Sequence, residues 1–192
     1  MNITRFLDWL QARVTVRTAV VSLSTVVAVL LAFFFVGAEW LERRMGGQQV
    51  LDVMFWPIDR PWRSPEVVTS TLEAYGDRGR RWYLGVLLVD TMFAGLYSVL
   101  LTVWDAFAAR QLHLSNKWAR RATIIPLFGG LVCDWGENLL LGLQTVRFPN
   151  QNVNVSQVAF VLSELKFVAY LETLFLLLAV VVLTIIRRII RR

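Results

Sequence analysis

Four stretches of this chain read as nearly continuous apolar helix, at about residues 19–37, 82–104, 122–143 and 158–186. The first is uncharged over 19 residues, close to the ~20 needed to cross the hydrocarbon core of a bilayer. A basic start followed by Gly37-Ala38 also resembles a signal peptide, but the run exceeds the ~7–15 residues of a signal h-region, so it reads as a first span. Trp82 to Trp104 is the second span and contains Asp90, with Tyr97 a heptad later on nearly the same face. Ala122 to Leu143 is the third, with Pro126 in its first turns and Gly129, Gly130 and Gly136 leaving room for another helix. Val158 to Ile186 is long for one crossing and should tilt or extend past the bilayer.

The connecting segments have their own patterns. Ile3, Phe6, Leu7, Leu10 and Val14 recur at helical spacing, with Trp9 near the edge of the face. This predicts a short interfacial helix at the N-terminus; an ordinary cytosolic lead-in is the alternative. Residues 38–81 form the long connection, expected to be an ordered extracellular loop. In it Phe55-Trp56-Pro57 and Pro61-Trp62 suit aromatic contacts at a membrane surface. Ser64-Pro65-Glu66 reads as a helix start, Val67, Val68, Leu72 and Tyr75 as its apolar face, and Gly76 as its end. Asp105 to Arg121 reads as a short polar connection containing His113, a loop histidine expected to be solvated. The prediction is an all-α integral membrane four-helix bundle, one membrane domain over 1–192.

Composition agrees with the pattern. The hydrophobic fraction of 56% and mean hydropathy of +0.54 exceed the ~45–50% apolar content of soluble domains. A net charge of +6 raises nucleic acid as a partner, but the basic residues flank the apolar blocks instead of forming a patch. Such flanking charge sets orientation. The N-terminal segment has three Lys or Arg, the second connection four, the C-terminal tail four and the third connection one. The first connection has seven, matched by seven acids. Both termini are therefore expected to be cytoplasmic, in a bacterial inner (plasma) membrane. The single cysteine, Cys133, excludes an intramolecular disulfide and a multi-cysteine metal site.

Polar residues inside the spans carry the chemistry. A charge at the bilayer centre costs ~2.5–3.5 kcal/mol on insertion scales, so retained charges usually have a use. Asp134, Glu137, Asn138 and Leu141 share one side of the third span; Ser163, Lys166, Tyr170 and Thr173 share one side of the fourth. At ~1.5 Å per residue, Asp90 and Lys166 lie about 12 Å from the outer ends of their spans, Asp134 about 13 Å and Glu137 about 9 Å. One outer-leaflet cluster is expected, lined by Asp90, Tyr97, Asp134, Glu137, Asn138, Lys166 and Tyr170. Glu172, nearer the midplane, could continue a proton path. Lys166 is a natural counter-ion, yet one lysine cannot neutralise three acids, so a second cation or a proton is implied.

Two readings of this cluster stay open: interhelical glue, or a cavity that binds or conducts a cation, proton or small amphipathic ligand. Carboxylates without histidine or thiolate suit a divalent cation such as Mg²⁺ or Ca²⁺ better than zinc, with Asp90, Asp134 and Glu137 as candidate ligands. No haem, zinc or nucleotide motif is present, and no Glu-x-x-His, G-x-S-x-G or H-E-x-x-H. An enzyme, for example one modifying lipids, would rest only on acid–base chemistry by Asp90, Asp134 or Glu137, and the pattern favours a non-enzyme. A non-catalytic assembly or accessory subunit is the other alternative. Its partners would be the bilayer and a membrane protein or further copies of the chain.

SPEVVTSTLEAYGDRGRRWYLGVLLVD, then DWGENLLL, then SELKF resembles a family of uncharacterised four-span bacterial membrane proteins. The likeness covers about residues 50–185. It implies the bundle and brings no assigned activity.

Overall fold

In a computed structural model of the chain, residues 3–32, 38–44 and 65–190 are described below. All their regular structure is helical, with no strand among the described residues: α1 (Ile3–Arg13), α2 (Val16–Ala32), α3 (Ala38–Arg44), α4 (Pro65–Gln111), α5 (Asn116–Phe128), a π-helical segment (Gly129–Asp134), α6 (Trp135–Val146) and α7 (Val153–Ile190). Among the described residues three stretches are long and apolar enough to cross a membrane: Val68–Gln111, Asn116–Val146 and Val153–Ile190. They are four if α1 and α2, bent by 103° at their junction, make one broken span. Large apolar side chains such as Leu88, Met92, Leu139, Val168 and Phe175 stand exposed along them. A surface this apolar is suited to lipid, since water provides no driving force to leave it uncovered.

The chain forms two compact units. The first comprises residues 1–27, 95–132 and 165–192. Here α1 buries Leu7, while Val14 at the corner packs with Ala19, Trp104 and Phe107. The corner is closed by a reciprocal cap: Thr15 N–H donates to Thr18 Oγ1 at 2.9 Å and Thr18 N–H to Thr15 Oγ1 at 3.2 Å. This is a capping box with threonine in the usual place of glutamate, satisfying an amide that the first turn of α2 would otherwise leave bare. Arg120 of α5 holds α1 through two bonds to the Asp8 carboxylate, at 2.8 and 2.7 Å. Gln11 adds a third tie, donating to Thr123 Oγ1 at 3.0 Å. At eleven residues, or ~16 Å, α1 is too short to span by itself.

The second unit comprises residues 28–94 and 133–164. Its core gathers Leu41 of α3, Val68, Leu72, Tyr75, Tyr83 and Leu87 of α4, and Leu141 and Ala159. Within α4 the backbone breaks at Gly76, where φ is +60° and ψ −178°, a conformation open to glycine and strained for side chains with a Cβ. Arg80 spans the break, donating from Nη1 to the Leu72 carbonyl at 2.8 Å and pairing with Asp77. Gly76 thus ends the first segment as expected, and Val68, Leu72 and Tyr75 form its buried face. The Trp40 and Trp82 rings meet edge to face, and the Arg44 guanidinium lies over both. The Phe55–Pro57 and Pro61–Trp62 aromatics and the Ser64 cap lie outside the described residues.

Two sequence expectations need correction. The connection predicted over Asp105–Arg121 is much shorter, because α4 continues to Gln111 and α5 starts at Asn116. Ala106, Ala108 and Ala109 are buried, so the helix continues on a small-residue face that a hydropathy reading takes for the end of a span. The turn places His113 at φ 53°, exposed, with its Nε2 3.4 Å from Arg187 Nη2. Pro126 likewise lies well inside α5, not in its first turns. Its missing N–H removes one hydrogen bond, and the chain widens into the π-helical segment three residues later.

Candidate functional site

In the second unit, α4 and α6 bring together the polar residues around Asn138. The Thr91 hydroxyl donates to the Leu87 carbonyl at 2.7 Å, so towards Asn138 it can only accept. Trp135 Nε1 donates to the Thr91 carbonyl at 2.7 Å, fastening the two helices beside the site. Asn138 Nδ2 then faces three acceptors: Asp90 Oδ2 at 2.8 Å, Thr91 Oγ1 at 3.3 Å and Asp134 Oδ1 at 3.3 Å. An amide nitrogen has two hydrogens, so one of these three must be shared or supplied with a hydrogen from elsewhere. Flipping the amide would set its oxygen against three oxygens, so the orientation is dictated by chemistry. Asn138 Oδ1 is itself buried and has no hydrogen-bond donor.

Three features position this network. Asp134 ends the π-helical segment and Glu137 lies in the first turn of α6. From Asp134 onward the i, i+3, i+4, i+7 pattern holds, and Asp134, Glu137, Asn138 and Leu141 are all buried. Gly136 packs closely, a Cβ there falling 2.8 Å from Leu162 Cδ1. Asp90, by contrast, is only partly buried. The site is rich in hard oxygen acceptors.

Among the described residues no group of three or more His, Cys, Asp or Glu is placed to hold a metal ion.

The remaining predicted residues belong to the first unit. Tyr97 and Tyr170 hydrogen-bond through their hydroxyls, with rings edge-on at 5.2 Å. Gly129 makes room for this pair, since a Cβ there would lie 2.8 Å from Ala169 Cβ and 3.3 Å from the Tyr170 ring. Lys166 is buried, as is Thr173 on the same face. Glu172 faces Asp105, a fully buried carboxyl that the sequence reading placed in a loop. The missed signal was spacing: Ser98, Thr102, Asp105 and Ala109 recur at three and four residues and are all buried. Thr91 and Trp135 were missed as well, because a threonine and an indole in apolar runs carry no charge to mark them.

No family model, curated protein or solved structure matches this chain.

Proposed function

We propose that this chain is an integral protein of a bacterial inner membrane, a four-helix bundle with cytoplasmic termini that binds a proton or small monovalent cation at Asp90, Asp134 and Asn138. The observation that carries the reading is the Asn138 carboxamide, whose Nδ2 faces three acceptors while its buried Oδ1 meets no donor. A buried polar atom left unmatched costs ~1–3 kcal/mol. A proton on a neighbouring acid, or a cation among the oxygens, would supply the partner that Asn138 Oδ1 lacks. The short connections at 112–115 and 147–152 suit antiparallel neighbours in a bundle, and the Lys and Arg count supports the orientation. The same oxygens would also take the ammonium head of a small amphipathic ligand.

The test is flux into proteoliposomes. Wild type should collapse an imposed pH gradient faster than empty vesicles, and Asp134→Asn should return the rate to that of empty vesicles while the protein stays folded. Equal rates in wild type and Asp134→Asn would overturn the proposal.

A further inference from the structure

A second pair of acids, Asp105 and Glu172, lies in the first unit, where α4 meets α7. Asp105 is fully buried. One of its oxygens, Oδ2, accepts the Thr173 hydroxyl at 2.9 Å. The other, Oδ1, is buried and has no donor, and so is Glu172 Oε2. The Glu172 and Asp105 side chains lie within hydrogen-bonding reach of each other. Two ionised carboxylates have no hydrogen to put between them and repel, whereas a carboxylic acid beside a carboxylate makes a strong O–H···O⁻ bond.

We infer that Asp105 and Glu172 form a proton-binding site, in which one proton is held between Asp105 Oδ1 and Glu172 Oε2. The pair then carries a single negative charge: Asp105 keeps its O–H bond and donates to the Glu172 carboxylate. The proton sits on Asp105 because that residue is wholly enclosed while Glu172 is partly exposed, so charge costs less at Glu172. Thr173 adds a hydroxyl to the oxygen that does not face Glu172. Glu172 is a charged neighbour of Asp105. Around this part of α4, α1, α2 and the corner between them contribute apolar Leu10, Val14, Ala19 and Leu23, and α7 contributes Leu176 and Leu177. This inference does not rest on the Asn138 site and has its own residues.

Infrared spectroscopy of the full chain in nanodiscs tests it, with the proton as the sole ligand. Wild type at pH 7 should show a protonated-carboxyl stretch that moves on ¹³C labelling of aspartate. Asp105→Asn should remove that contribution, and Glu172→Gln should shift or abolish it by replacing the carboxylate acceptor. Asp134→Asn should leave it in place, which separates this site from the one at Asn138. If Asp105→Asn does not fold, the labelled wild type and Glu172→Gln decide. No aspartate-derived protonated band in wild type, or a band unchanged by both substitutions at this pair, would overturn the inference.

Discussion

Asn138 Nδ2 reaches Asp90 Oδ2 at 2.8 Å across 48 residues of chain, joining α6 to α4 through one carboxamide. Replacing it with leucine keeps the approximate volume and removes the donor from Asp90, Thr91 and Asp134 together. Asn138→Leu should destabilise the protein by ~1–3 kcal/mol, the range for losing hydrogen bonds to charged or buried groups. Unfolding in detergent at neutral pH measures it. Stability equal to wild type would mean that these acids are satisfied without the amide.

Close helix contacts at two glycines differ in what they touch. A Cβ at Gly129 would meet Ala169 Cβ, fixed directly to backbone; one at Gly136 would meet the tip of Leu162. Both approaches are 2.8 Å, but a leucine tip can rotate away and a Cβ cannot. Gly129→Ala should therefore cost more than Gly136→Ala, by ~1–3 kcal/mol for the overpacked case. Thermal unfolding of the two variants gives the order directly, and a larger loss at Gly136 would contradict it.

At the surface, the Arg120 guanidinium hydrogen-bonded to Asp8 lowers that carboxyl's pKa from its ordinary value of 3.8. A depressed carboxyl contributes its full stabilisation above the unfolded value and loses it as pH falls through the lower folded value. The tie between α1 and α5 should thus hold at neutral pH and loosen below about pH 4. Trp9, half exposed on α1, can report the change by fluorescence. Asp8→Asn should remove this acid transition, and a transition that survives the substitution would assign it to another group.

Much of this architecture was legible in the sequence, for reasons that differ by residue. The apolar runs were plain because lipid imposes one composition over about twenty residues. The face carrying Asp134, Glu137 and Asn138 could be read from helical spacing, since Asp134 closes the π-helical segment and Glu137 and Asn138 follow it in α6. Asp105 could not be read in the same way, because charge at the end of an apolar run looks like a boundary whether the helix stops or continues. The hydrogen balance at Asn138 was also hidden. It depends on the Thr91 hydroxyl being committed to Leu87, a fact of rotamer and not of residue type.

The wide turn at Gly129–Asp134 has one more consequence. A π turn accommodates an additional residue relative to an α turn, so it works as an insertion absorbed without breaking the helix. Everything after it is rotated relative to an uninterrupted α-helix, and Asn138 is among the residues so turned. The direction in which this amide points is therefore fixed by residue count several positions upstream. A change in chain length there could silence the site while leaving every one of its side chains intact.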